Sequence, residues 1–342
     1  MDRPILTICI PSYNRLDKAQ HCVTSLLKQV AGRPVNILVL DNGSTRRYFD
    51  AFSSDATFQS AMEVGILSVH RNQSNIGMSA NFLRAFEIAD GSWLWLLSDD
   101  DDISPDAITE VLSAIGDHAL GCGFIKFSSP RSFPVEDVIK LQTLEHFVDF
   151  NSHSHHAFNG FIFISNGVYR LADFRPLLSI GYQYTNTYIP HFMMLTFYMA
   201  AGNCCVIVGK QIVDYVVPEV GYSYGMLAGL GVGAPKHALL RLSPSYYRRY
   251  ISLFFPHNDF KVLIDLFYQC KRDASPYVCG NLVDSYLSYV SIARPFPKMI
   301  ALRIFRNLIR YPWVFEKMVS LAGIMSTVFR RHIDEIKRRY AS

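Results

Sequence analysis

The chain has 342 residues, half of them hydrophobic and 13% aromatic, with a formal net charge of +4. So much apolar material buries a large core, which excludes wholesale disorder, and the length implies a main domain with an appended region. The charge is unevenly placed: residues 294–342 hold eleven Lys/Arg against three Asp/Glu, leaving the rest of the chain net acidic. The seven cysteines form no CxxC pair and are odd in number, which fits a reducing cytoplasm better than a disulfide framework. MDRPILTICIPSYN runs at once into a strand-like segment, so no secretory leader is expected.

Along the first 130 residues, strand and helix patterns alternate. ILTICI (5–10) reads as a buried strand, and residues 16–29 place Ala19, Cys22, Val23, Leu26 and Leu27 at helical spacing. VNILVLD (35–41) and GILSVHR (65–71) are the next strands. SANFLRAFEIA (79–89) is an amphipathic helix, and WLWLL (93–97) is a fourth strand. Pro105 sits where a first helical turn tolerates it, ahead of Ile108, Val111, Leu112 and Ile115, and GFIKF (123–127) is a fifth strand. The alternation predicts an α/β fold with a mainly parallel sheet covered by helices on both faces.

Beyond residue 131 the pattern loosens. HSHHAFNG (153–160) reads as a loop, its histidines without a zinc partner at suitable spacing, and FIFISNGVY (161–169) as a strand. Residues 176–209 contain no Asp, Glu, Lys or Arg, long enough to span a bilayer. Pro190, His191, Gly202 and Asn203 interrupt the stretch, so it reads as a buried helix over 191–201 and a strand over 204–208. A Gly- and Tyr-rich loop follows (214–235), and from 241 the chain reads helical. The expected division is 1–240, with halves 1–130 and 131–240, and a basic helical region 241–342.

Each early strand ends in a polar, turn-rich segment: PSYNR, DNGST, NQSNIG and SDDDD. Parallel strands present these ends on one edge of the sheet, where open α/β sheets bind ligands. Four adjacent carboxylates, Asp99 to Asp102, repel one another unless a cation sits there, and Mg²⁺ or Mn²⁺ binds through one or two carboxylates plus phosphate oxygens. The chain has no P-loop and no Gly-x-Gly-x-x-Gly after its first strand, which disfavours P-loop hydrolases and dinucleotide oxidoreductases. A nucleoside diphosphate met mainly by metal remains. Tyr13 is placed to stack on a base, Asp41 to accept from a base N–H or sugar hydroxyl, and Arg71 to reach base or phosphate.

CIPSYNR (9–15), LDNGST (40–45), NIGMSANF (75–82) and SDDDDISPDAI (98–108), four motifs in order across residues 3–120, resemble the GT-A domain of family 2 glycosyltransferases. More narrowly, SIGYQY (179–184), YIPHFMMLTFY (188–198) and GKQIVDY (209–215) resemble abequosyltransferase-like enzymes of O-antigen synthesis. The resemblance implies a GT-A fold and a nucleotide-sugar site formed by Pro11, Ser12, Tyr13, Arg15, Asp41, Asn75, Gly77 and Asn81, to which the reading of the residues adds Arg71. Aligned on SPDAI, the family's Asp-x-Asp-Asp puts Ser98 at its first position. A diphosphate or ribose contact then passes to Asp99, and the Mn²⁺ or Mg²⁺ ligands fall on Asp100 and Asp101. The Glu-Asp pair that supplies a base in inverting members corresponds to IPHF, with His191 where an acid is usual; a near-neutral imidazole can take the acceptor's proton. Asp214 is the fallback.

These implications describe a metal-dependent transferase acting on a lipid-linked oligosaccharide acceptor. It would sit peripherally on the cytoplasmic face of the inner membrane through Arg303, Arg306, Arg310, Trp313 and Phe315. The tail's other reading is a helical subdomain or homo-oligomer contact, and a nucleic-acid partner is not expected. The rival functions are a catalytically inactive GT-A scaffold subunit, kept open by Ser98, and a sugar nucleotidyltransferase, which would need a Gly-rich basic loop after the first strand.

Overall fold

The computed structural model describes residues 3–128, 137–152, 160–214 and 242–253, together with Trp313, Lys317, Arg331 and Asp334. Contacts divide the chain into two compact units, Met1–Val220 and Gly221–Ser342.

The first unit is built on an eight-stranded sheet. β1 (Leu6–Ser12) is buried at every position, as a strand covered on both faces must be. α1 (Leu16–Val30) turns Leu16, Ala19, Cys22, Val23, Leu26 and Val30 to the core, one face of a 3.6-residue repeat. β2 (Val35–Asp41) follows, then two short helices, α2 (Tyr48–Ser53) and α3 (Ala56–Glu63), which the sequence pattern did not announce. Asp55 caps α3 by accepting from the Thr57 and Phe58 amides. β3 (Leu67–Arg71), α4 (Met78–Ile88), β4 (Trp93–Leu96) and the two-residue β5 (Asp102–Ile103) come next. α5 (Ala107–His118) leads to β6 (Phe124–Ser128).

The second half of the unit adds β7 (Ile139–Leu141), α6 (Leu144–Ser152) and β8 (Gly167–Arg170). Helices α7 (Leu171–Phe174), α8 (Leu178–Gln183) and α9 (Pro190–Ala200) precede β9 (Cys205–Gln211) and β10 (Val213–Asp214). The charge-free stretch is thus two helices and most of a strand. α9 buries nine of its eleven residues, and no described helix is long and apolar enough to cross a membrane.

The sheet order is β3-β2-β1-β4-β8-β6-β9-β7. β3, β2, β1 and β4 run parallel, β8 lies antiparallel between β4 and β6, β9 is parallel to β6, and β7 closes the edge antiparallel. The segment expected as one strand over 161–169 is strand only from Gly167. A 3-10 turn occupies Ile164–Asn166, where the Ser165 side chain donates to Asp101 and the Asn166 side chain to the Phe127 carbonyl of β6, bonds that compete with a continued strand.

Register decides what meets at the strand ends. Ser12 pairs with Asp41, and Asp41 with Arg71, so three polar residues stand in one row across β1, β2 and β3. Cys9 pairs with Leu96, and the Leu97 amide donates to the Cys9 carbonyl, so β4 ends beside the same row and delivers Ser98–Asp102 to it. β5 and β10 then pair antiparallel, Asp102 opposite Asp214, and tie the far end of the acidic turn to the chain after β9.

In the second unit, α10 (Pro244–Ser252) begins at Ser243, whose hydroxyl accepts from the Tyr246 amide. Trp313, Lys317, Arg331 and Asp334 are helical and exposed, with Lys317 Nζ 5.9 Å from the Trp313 ring centre. Arg303, Arg306, Arg310, Phe315, the 153–156 histidines and nearly all of the 214–235 loop lie outside the described residues.

Candidate nucleotide-sugar site

The first loops interlock through side chains rather than packing alone. At the end of β1 the Ser12 hydroxyl meets the Tyr48 hydroxyl at 2.9 Å, and the same phenol accepts from the Arg15 amide at 2.8 Å. Asn14, in the left-handed region at φ 54, accepts from the Thr45 amide, and its own amide donates to Ser44 Oγ. Pro11 is buried within β1, whereas Tyr13 stands 42% exposed beside it, a ring presented to solvent at a strand end.

Asp41 is fully buried and answered from two sides. Its Oδ1 accepts from the Ser44 amide at 2.8 Å, its Oδ2 pairs with Arg71 Nη1, and Arg71 Nη2 donates to the Ser44 carbonyl at 2.7 Å. A buried carboxylate with its guanidinium in hydrogen-bond contact is a fixed unit, since removing either partner leaves a charge uncompensated.

Asn75, Gly77 and Asn81 belong to an amide ladder. Asn42 Nδ2 donates to Asn75 Oδ1 at 2.9 Å, while Asn42 Oδ1 accepts from the Ile76 amide and from Asn72 Nδ2, which also reaches Asn81 Oδ1 at 2.8 Å. Gly77 starts α4 at φ +85, its amide donating to Asn75 Oδ1. The loops come this close only because Gly43 has no side chain: its φ is +73, and a Cβ there would lie 2.6 Å from the Ser74 carbonyl carbon.

Four like letters in the sequence become four different carboxylates. Asp99 is buried, and neither of its oxygens accepts a well-formed hydrogen bond; Arg15 Nη2 stands 3.1 Å from Oδ1. Burial pushes its carboxyl up to about 6, against the opposing pull of the Ser12 hydroxyl and the Arg15 guanidinium. Asp100 is partly exposed. It accepts from Ser98 Oγ at 2.5 Å and from Arg15 Nη1 at 2.8 Å. Burial opposes ionisation there too, but these bonds and the Arg15 and Lys18 charges win and hold its carboxyl below the usual range. Asp101 is buried with Oδ2 accepting from Ser165 Oγ at 2.6 Å. Asp102 is 61% exposed in its side chain, with His21 Nε2 at 3.5 Å.

The turn is braced from the second half of the unit. Ser165 Oγ accepts from the Ser98 amide at 3.0 Å while donating to Asp101, and Trp95 Nε1 donates to the Ser165 carbonyl at 2.7 Å. Two buried bases hold the backbone just before it: His191 Nε2 is 2.9 Å from the Ile162 carbonyl, and Lys126 Nζ donates to the Phe163 carbonyl at 2.6 Å. His191 lies on α9, 1% exposed, against the edge of Phe82, with Nδ1 unpartnered. Burial lowers it to about 3, and the nearby Lys126 adds to that, against the Ile162 bond. Lys126 itself is depressed well below its usual value by burial.

Oxygen donors on Ser98, Asp99 and Asp100 suit a hard divalent cation, and the unbonded oxygens of buried Asp99 are what a cation or hydroxyl donor at this turn would satisfy. Among the described residues no three His, Cys, Asp and Glu side chains converge as a metal cage. A cation shared between one or two carboxylates and a diphosphate requires none.

Ser12, Tyr13, Arg15, Asp41, Arg71, Asp99, Asp100 and Asp101 therefore gather at the row of strand ends, and the Asn75–Asn81 ladder borders it. His191 stands apart on α9. Sequence reasoning missed Tyr48, and passed over Asn42, Ser44, Asn72 and Ser165 inside segments it quoted. Ser165 gave no local signal, because its partner Asp101 is 64 residues away.

Residues 7–171 match the family model described as Glycosyl transferase family 2. Among curated proteins, abequosyltransferase RfbV of Salmonella typhimurium is 23% identical over 140 residues, 37% of this chain and 40% of that protein. An uncharacterized protein of Mycobacterium tuberculosis is 26% identical over 136 residues, 40% of this chain and 39% of that protein. The chain thus spans about two fifths of the length of these relatives. Among solved structures, S. aureus TarS 1-349 superposes with TM-score 0.59 at 13% identity, over 98% of this chain and 92% of TarS, and it has also been solved with UDP-GlcNAc and with UDP. The mannosyltransferase PcManGT of Pyrobaculum calidifontis, in complex with GDP-Man and Mn²⁺, gives 0.50 at 13% identity over 100% and 88%. These likenesses show the fold, which is the expected GT-A type. With the strand-end geometry, they point one way: residues 7–171 of this chain are similar to glycosyl transferase family 2 and carry its fold.

Proposed function

We propose that the chain is a metal-dependent glycosyltransferase that moves a sugar from a nucleotide-sugar donor to a hydroxyl of a lipid-linked oligosaccharide in surface-polysaccharide synthesis, with abequose or a related deoxysugar as the transferred group. The observation that carries the reading is the single row formed by the Asp41–Arg71 pair, exposed Tyr13, and the Arg15–Asp99–Asp100 cluster. The ring of Tyr13 stacks on the base, and Asp41 and Arg71 fix base and ribose. Pro11, Ser12, Asn75, Gly77 and Asn81 shape the loops that close around them, while Asp99 faces ribose or diphosphate.

Asp100 would hold Mg²⁺ or Mn²⁺, with Asp101, bonded by Ser165, as the second carboxylate of the pair. The cation would supply charge stabilisation for a departing diphosphate. His191, the base suggested by the motifs, is buried on α9 with Nε2–H given to Ile162 and its basicity lowered, so this reading rests the rate on leaving-group stabilisation rather than on a strong base. The RfbV likeness supports the deoxysugar donor and the O-antigen setting, and the basic 294–342 segment supports a place on the cytoplasmic face of the inner membrane.

A thermal-shift panel of UDP-, GDP-, CDP- and dTDP-sugars, each with Mn²⁺ or EDTA, tests this on wild type and Asp100→Ala. A ligand at a hundred times its dissociation constant stabilises by about 2.7 kcal/mol. The expected result is a shift for one nucleotide that EDTA and Asp100→Ala both abolish. No shift with any nucleotide overturns the reading.

A further inference from the structure

Arg15 holds the two carboxylates on which the proposed cation would draw. It is the residue before α1, and its guanidinium spans Asp99 Oδ1 at 3.1 Å and Asp100 Oδ2 at 2.8 Å. The other Asp100 oxygen accepts from Ser98 Oγ at 2.5 Å, so both oxygens of the expected metal ligand already have partners within the chain. Below it, Asp99 is a buried carboxylate whose only ion-pair partner among the described residues is the same guanidinium. The Arg15 side chain is itself 44% exposed, with its outer side open to solvent.

A divalent cation arriving alone must displace this guanidinium and then lie beside it, two positive centres with nothing new between them. A cation arriving with a diphosphate removes that cost, because the phosphate oxygens give Arg15 a new anionic partner. A guanidinium fork matches phosphate as well as it matches carboxylate. Resting on the metal–diphosphate reading above, we propose that Arg15 closes the acidic turn in the free protein and transfers to the diphosphate on binding, so that cation and nucleotide enter as one unit rather than cation first. Linkage then requires each to tighten the other by the same factor.

The test is Mn²⁺ binding to the full chain, read as loss of the free-ion signal in electron paramagnetic resonance. It is run with and without whichever of UDP, GDP, CDP or dTDP shifts the melting temperature, with Mn²⁺ held by the nucleotide itself subtracted. Wild type is expected to bind Mn²⁺ weakly alone and about tenfold or more tighter with nucleotide, within the usual range of coupling between sites. Arg15→Ala is expected to bind Mn²⁺ alone about fivefold tighter than wild type and to lose most of the coupling. Arg15→Gln, closer in shape, does the same and serves where the alanine variant fails to fold; circular dichroism reports on folding of both.

Mn²⁺ affinity that is unchanged or weaker in both variants without nucleotide, with the coupling intact, overturns the Arg15 inference and leaves the glycosyltransferase reading standing. Wild type that binds Mn²⁺ no better with any nucleotide overturns both.

Discussion

The strand ends of β1, β2 and β3 and the ground between β6, β8 and α9 both bury polar side chains, under opposite conditions. At the strand ends almost every polar atom is answered by another loop: Asp41 by Arg71 and the Ser44 amide, Asn42 by Asn72, Asn75 and Ile76. Between β6 and α9, Lys126 and His191 are sealed in, each bonded to a carbonyl of the same short segment, and His191 Nδ1 and Asn166 Oδ1 have no partner among the described residues. The first region is a scaffold whose polar groups are already held in place by one another. The second carries unpaid desolvation, and it holds the segment Ile162–Ser165, whose Ser165 braces the acidic turn. The geometry of that turn therefore depends on a region away from the strand ends.

The comparison breaks most visibly with acid. The folded-state pKa of His191, about 3, lies below its unfolded value of 6.5, so the unfolded chain binds the extra proton. Stability from this group is complete above about pH 6.5 and falls as the pH drops toward 3, by about 3 kcal/mol between pH 7 and pH 4. Denaturant unfolding of wild type and His191→Phe at both pH values isolates this contribution. The gap between the two proteins should move by that amount in favour of the variant at pH 4. A gap that stays constant would show that the imidazole is not sealed off as described.

The strand-end scaffold breaks at Gly43. Alanine there must hold φ +73 and push its Cβ into the Ser74 backbone, at a cost of about 2 kcal/mol. Because Asn42, Ser44 and the Asn75 loop move with it, nucleotide affinity should fall along with the unfolding midpoint. Loss of stability with affinity unchanged would uncouple the ladder from the site.

How much of this was legible follows from distance along the chain. Each loop motif sits at the end of its own strand, so a local pattern of β-branched residues and turn residues placed Tyr13, Asp41, Asn75 and the acidic run, and parallel pairing did the rest. The antiparallel insertion of β8 between β4 and β6 was not legible, since nothing local in FIFISNGVY distinguishes a turn followed by four strand residues from one continuous strand. Tyr48 and Ser165 were invisible for the same reason: their partners are 36 and 64 residues away. The surroundings of His191 came from packing that no motif encodes.

The smallest effect sharpens the comparison best, because it lies inside the acidic run itself. Asp102 is the only one of the four carboxylates turned mainly to water, and its neighbour His21 is 74% exposed. An exposed pair of this kind contributes under about 1 kcal/mol. Asp102→Asn should leave the unfolding midpoint and the nucleotide-dependent thermal shift where they are, whereas Asp100→Asn should remove the shift while sparing the midpoint. If Asp102→Asn also abolishes the shift, the run acts as a diffuse negative patch and the ordering by burial loses its meaning. If it does not, the fold has sorted four identical side chains into a buried support, a ligand, a braced partner and a bystander, and what sorts them is the depth at which β4 ends beside β1.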